Sequence, residues 1–307
     1  MPALIAHHIF GQDVLAAMGS ELGLSEESRE AFLLGCQGPD PFFYTVFSRK
    51  LIQRHRFGSS LHKERVAASL DCLRKAARVF PESRHQAMES YVRGWLCHFT
   101  LDSMAHPLIF WYEQSITGAG VPGLGLEAKR EVHAQVEADL DCMMLFSRSG
   151  QTIRSFRPVS EILHASDRLL DWIGVMYRRV SDEVYGHRLS AAAFKRGVRD
   201  MRSSYRLIYS PYGAKRVILG RIERLFRPHS FIQAYSHRLL ATTTCDYDNH
   251  EHLLWTNPFT GEKSTASFMD LYNEAIALSQ QRMRWYAEAV ASKQLVGSLN
   301  FDGRPIE

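Results

Sequence analysis

Long hydrophobic runs are missing from this chain of 307 residues. A membrane-spanning helix needs roughly 18–20 uninterrupted apolar residues. The most apolar stretch, around Leu108 to Tyr112, is short and bounded by His106 and Glu113, so no transmembrane segment is expected. Cysteine is scarce: five residues, Cys36, Cys72, Cys97, Cys142 and Cys245, lie far apart and never form a CxxC pair. Neither a disulfide framework nor a thiolate zinc site is indicated, leaving core thiols as the expectation. The opening MPALIAHHIFGQ has no basic start, long apolar stretch or small-residue cleavage site. A cytoplasmic protein is therefore expected. Alternation of apolar and polar residues, internal repeats and low-complexity tracts are also absent, which argues against a βαβ or sandwich fold.

What is present is helical periodicity and enough apolar residues, 45%, to bury a substantial core. The pattern predicts helices over 61–80, with Ser59 and Ser60 as caps, and over 82–112, with Pro107 kinking or interrupting the latter after His106. It predicts others over 126–146, 160–185, 190–209, 214–226 and 267–291. The expectation is an all-α protein with one domain over 1–292 and a loosely held C-terminal extension over 293–307. Charge is uneven. Residues 148–238 carry 18 Lys and Arg against 7 Asp and Glu, so a segment of +11 sits in a chain of net +4 and the remainder carries −7. The simplest account of those Arg-rich helices is a solvated face or partner contacts. Tyr205, Tyr209 and Tyr212 among Arg202, Arg206 and Lys215 suggest base stacking only weakly.

The first half of the chain holds a train of metal-capable side chains: His7, Asp40, His62, then His98, Asp102 and His106, then His133 and Glu137. In HFTLDSMAH and HAQVE these recur every four positions, which places them on one face of a helix. Any one of 14 histidines is more simply a surface or core residue. His98, Asp102 and His106, however, interrupt the apolar WLCHFTLDSMAHPLIF, where a polar group buried without a partner costs about 1–3 kcal/mol. A metal supplies the partner. Asp40, in GCQGPDPFFY, also reads as a turn aspartate, and His62 as a plain first-turn residue. Clustered zinc ions lower the pKa of water from 15.7 toward roughly 7 and neutralise phosphodiester oxygens, so hydrolysis of a phosphodiester is the natural reaction. Asp40 is the candidate catalytic carboxylate.

The ordered set AHHIFG, GPDPF, LHKE, HxxxDxxxH and HxxxE resembles the zinc-dependent phospholipase C family, over about the first 145 residues. The resemblance implies an all-helical bundle shared with single-strand-specific zinc nucleases and a site of two to three zinc ions. By it, Asp40, His62, His98 and Asp102 would bind one zinc, His106, His133 and Glu137 a second, and His7, rather than His8, with Asp102 a third. The secreted enzymes close that third site with an N-terminal tryptophan. Here removal of Met1 would leave the imino group of Pro2 to do so. The implied substrate is a phospholipid or small phosphodiester; Phe42, Phe43, Tyr44, Phe47 and Phe57 are candidates for an apolar entrance, or simply core residues. Single-stranded nucleic acid, or a non-catalytic zinc-stabilised binding or regulatory module, are the alternatives. The helical phosphohydrolases with an adjacent His-Asp pair are excluded, because Phe99 follows His98.

Overall fold

The computed structural model describes residues 3–19, 23–44 and 51–306, of which the elements run α1 (Leu4–Met18), α2 (Glu26–Gly35), α3 (Leu51–Lys63), α4 (Val66–Arg78) and α5 (Glu82–Gly118). They continue with α6 (Lys129–Ser149), α7 (Pro158–Glu161), α8 (Asp167–Glu183), α9 (Ala192–Ile208), α10 (Ala214–Glu223) and α11 (Phe231–Tyr235). A two-stranded antiparallel hairpin, β1 (Trp255–Thr256) and β2 (Lys263–Ser264), precedes α12 (Phe268–Ala287) and α13 (Ser292–Val296). With 66% helix and 2% strand the fold is all-α. No described helix is long and apolar enough to cross a membrane. Cys36, Cys72, Cys97 and Cys142 are buried free thiols and Cys245 is half-buried.

Contacts divide the chain into two units, each discontinuous in sequence: one comprises 1–9, 105–162 and 205–273, the other 10–104, 163–204 and 274–307.

In the second unit the core is aromatic. Phe42 sits edge-on to Phe57 and Tyr177 at 5.0 and 4.9 Å, and Tyr177 stacks on Phe194 at 5.1 Å. Phe42, Tyr44 and Phe57 are therefore core residues and not a substrate entrance; Phe47 lies outside the described residues. Helices α2 and α5 cross with almost no gap. A Cβ on Gly94 would lie 2.1 Å from Phe32 O, so only glycine permits this approach.

Three expectations are corrected in this unit. Residues 61–80 form two helices, not one, because Arg65 adopts a left-handed conformation (φ 51°). Its guanidinium reaches Val184 O, and Tyr185 OH donates to Glu64 O at 2.8 Å, so tertiary contacts hold the break open. Helix α8 starts at Asp167 rather than near 160, after Leu163 at φ 64°, with Ser166 Oγ accepting from Leu169 N at 3.1 Å. The residues after Lys293 are packed, not loose: Leu295, Val296 and Phe301 are buried, and Phe301 N donates to His62 O at 3.0 Å.

In the first unit α6 is central and packs against α11, which in turn packs on α10. Asp141, fully buried in α6, accepts from Ile5 N (3.1 Å) and Ala6 N (2.7 Å) and so caps the start of α1. It also meets His237 Nε2 at 2.8 Å. Tyr205 is buried and Tyr209 half-buried, its OH donating to Ile153 O; of the three tyrosines proposed for stacking only Tyr212 is exposed.

Helix α5 runs for 37 residues through Pro107, which does not interrupt it. Proline cannot donate to Ser103 O, a loss worth about 3 kcal/mol in a helix interior. Burial of Ala105, Leu108 and Ile109 offsets it and keeps the helix whole.

Candidate metal centre

Continuity of α5 keeps His98, Asp102 and His106 on one face, and α6 does the same for His133 and Glu137. All five side chains are buried or nearly so.

Within the second unit, α2 ends at Gly35 and the chain turns through Gly38 and Pro39 into a 3-10 turn, Asp40–Tyr44, that presents Asp40. Gly38 has φ +49°, and a Cβ there would lie 2.3 Å from the His98 ring. The turn and the imidazole thus fit only with glycine between them. Asp40 Oδ1 stands 3.0 Å from His62 Nε2 and 3.6 Å from His98 Nε2, and Asp102 Oδ2 is 3.2 Å from His98 Nε2. Donor atoms of Asp40, His62 and His98 all lie within 4.8 Å of one another and could hold one metal ion. Burial works to raise the Asp40 carboxyl, but His98 and His62 outweigh it and hold the group below the usual carboxylate range.

Gly38→Ala is expected to destabilise the fold by about 1–2 kcal/mol from the left-handed backbone alone, with a further loss as the His98 ring is displaced. Denaturant midpoint and zinc content measured together check this; wild-type values for both would show that the turn tolerates a side chain.

Within the first unit, Glu137 Oε1 lies 3.3 Å from His106 Nε2 and 3.6 Å from His133 Nε2, and the donor atoms of the three lie within 4.8 Å. Burial again raises the carboxyl, yet the positive charge and imidazoles around it, His133 and His106 included, hold Glu137 well below its ordinary value. Burial lowers the His133 imidazole, and Glu137 and Glu113 together reverse this and raise it.

The second ring nitrogens carry the decisive detail. His62 Nδ1 lies 2.8 Å from Gly58 O, His98 Nδ1 3.1 Å from Cys36 O and His133 Nδ1 3.0 Å from Glu113 Oε2. Each of these acceptors requires a proton on Nδ1, so in a neutral ring the Nε2 lone pair faces a carboxylate oxygen. Such an arrangement calls for positive charge on the Nε2 side. It is met by a second proton on every ring or by a cation held between nitrogen and carboxylate, and outer acceptors of this kind are what orient metal-binding imidazoles. The residues fit a divalent metal with nitrogen and oxygen ligands, zinc among them.

Glu113 was not among the residues expected from sequence, nor was Asp141 or His237. Glu113 stands seven residues beyond His106 and so continues the ligand face of α5. Glu113→Gln is expected to weaken metal binding at His106, His133 and Glu137 by roughly 10–100-fold, read by competition with a zinc-sensitive dye; unchanged affinity would reduce Glu113 to a packing residue. His7 is buried in α1, with His8 beside it also buried, and Asp141 fixes the start of that helix. Met1 and Pro2, the expected closure of a third zinc site, lie outside the described residues.

Comparison with known proteins yields no match to a family model, a curated sequence or a solved structure.

Proposed function

We propose that this protein is a zinc-dependent, phospholipase C-like hydrolase of phosphodiester bonds, built as a helical bundle of the phospholipase C and zinc nuclease kind. The observation that carries the reading is the pair of buried histidine-carboxylate groups whose outer ring nitrogens are already committed to Gly58 O, Cys36 O and Glu113. Zinc, when bound, supplies positive charge that makes water a competent nucleophile near neutral pH and offsets the charge of the phosphodiester.

The chain's own residues do the rest. Asp40, held ionised by His62 and His98, offers a carboxylate oxygen to receive a proton from the attacking water. Asp102, one helical turn from His98, places a carboxylate oxygen 3.2 Å from that ring's Nε2, where the two would hold the same cation. Gly58 O, Cys36 O and Glu113 keep the Nδ1 protons in place and fix the tautomers. The overall change consumes water and a phosphodiester and yields a phosphomonoester and an alcohol.

Two to three equivalents of zinc are expected in purified protein, with hydrolysis of bis(p-nitrophenyl) phosphate lost on chelation and regained on zinc addition. Elemental analysis and that assay decide the matter together. Bound zinc without turnover on the chromogenic ester, phospholipids or single-stranded nucleic acid would identify a binding module, and absence of stoichiometric metal would sink the reading altogether.

A further inference from the structure

Helix α10 is folded with its polar side inward. On the side facing α11, Arg216 Nε donates to Gln233 O at 2.9 Å, and Glu223 Oε2 accepts from Ser230 Oγ and Ile232 N, both at 2.8 Å. Gly220 lets the two elements meet, since a Cβ there would lie 2.2 Å from the Gln233 side chain. The opposite side is apolar and faces solvent: Ile218 is 57% exposed, Ile222 51%, Leu225 78% and Phe226 83%. Ile218 and Ile222 lie one turn apart on the helix, and the turn that follows it adds Leu225 and Phe226. A surface helix normally turns such an apolar side toward the core, and a contiguous exposed apolar patch marks an interaction site.

Cations frame the apolar side. Lys215 and Arg221 flank it and Arg224 sits beside its tip, all three exposed. Arg221 and Arg224 form no ion pair among the described residues. The one carboxylate of the helix, Glu223, is turned inward toward Ser230, Ile232 and Arg227. The outward face is therefore apolar along its axis and positive along its edges.

We propose that the outward face of α10, with the Leu225–Phe226 tip, is a peripheral docking site for an anionic lipid surface. The side chains of Ile218, Ile222, Leu225 and Phe226 enter the boundary between head groups and acyl chains, while Lys215, Arg221 and Arg224 meet the anionic head groups. A second copy of the chain fits less well. A two-fold contact presses the same patch against itself, setting Arg221 and Arg224 against like charges. A polyanion without an apolar phase, such as nucleic acid, satisfies the cations but leaves the apolar side chains in water. The inference does not depend on the hydrolase reading, because binding is scored without turnover.

The test is co-sedimentation of the full chain with vesicles of equal parts phosphatidylglycerol and phosphatidylcholine, and with phosphatidylcholine alone, at low and high salt. The protein is expected to pellet with the anionic vesicles and to be released by salt. Leu225→Asp with Phe226→Asp, both at exposed positions, lowers the partition coefficient by roughly tenfold or more, and Arg221→Glu with Arg224→Glu does the same on anionic vesicles only. Circular dichroism reports whether each variant folds. Phe226→Trp, a conservative reporter, is expected to shift its emission to the blue on anionic vesicles. No pelleting of the wild-type chain, or equal pelleting of the aspartate variant, overturns the proposal. So does a concentration-dependent dimer that the aspartate variant abolishes in the absence of vesicle binding, which assigns the face to a second copy.

Discussion

Asp40→Asn is expected to lower phosphodiester turnover by roughly 10²–10⁴-fold, the range of a lost general acid or base, with little change in thermal stability. The amide keeps the shape of the carboxylate but neither its charge nor its capacity to take a proton from water. Stability is spared because the turn is made by backbone: Asp40 N donates to Gln37 O at 3.2 Å, Gly38 N donates to Gly35 O at 2.7 Å, and Pro39 restricts its own φ. Steady-state kinetics on a chromogenic phosphodiester and a melting curve are the two readouts. Full activity in the variant would remove Asp40 from the proton-handling role. A large drop in melting temperature with an equal loss of bound zinc would make it a structural ligand first.

Phe301→Ala is expected to cost about 3–5 kcal/mol, as for other fully buried phenylalanines. The ring is buried completely and lies 4.7 Å from the His62 ring, 5.1 Å from Trp95, 5.1 Å from Phe99 and 5.6 Å from His98. Its removal leaves a cavity directly behind two of the imidazoles that face Asp40. Zinc content is thus expected to fall at the Asp40, His62 and His98 group while the His106, His133 and Glu137 group retains its metal. Urea unfolding gives the stability change, and zinc titration of the variant gives the selectivity. A loss below about 1 kcal/mol, the scale of an ordinary surface substitution, would mean that the C-terminal residues are as loosely held as their composition suggests.

The ligand rows of α5 and α6 were legible because a helix converts a spacing of four into proximity. His98, Asp102 and His106 needed no knowledge of any other element, and neither did the pair His133 and Glu137. Glu113 shows how a sound local rule misleads. Proline breaks most helices, and Pro107 stands one residue after His106, where a break would end the ligand face. Packing of Ala105, Leu108 and Ile109 carries α5 through the proline, and the same face then delivers Glu113 to His133 Nδ1 at 3.0 Å. The break at Arg65 is the opposite case: nothing local interrupts the apolar pattern over 61–80, and the left-handed conformation is held by bonds to Val184 and Tyr185, just past the end of α8.

Nothing in the sequence singles out His237, yet its Nε2 meets Asp141, the residue that caps α1 and so fixes the helix carrying His7. No spacing rule connects positions 96 residues apart. The helical class and the donor types that share a helix face follow from periodicity over a few turns. Which carbonyls and carboxylates hold the outer nitrogens of those histidines, and that α10 turns its apolar residues to solvent, was settled by packing. Those outcomes depend on contacts between elements distant in the chain, whose energies no local pattern encodes.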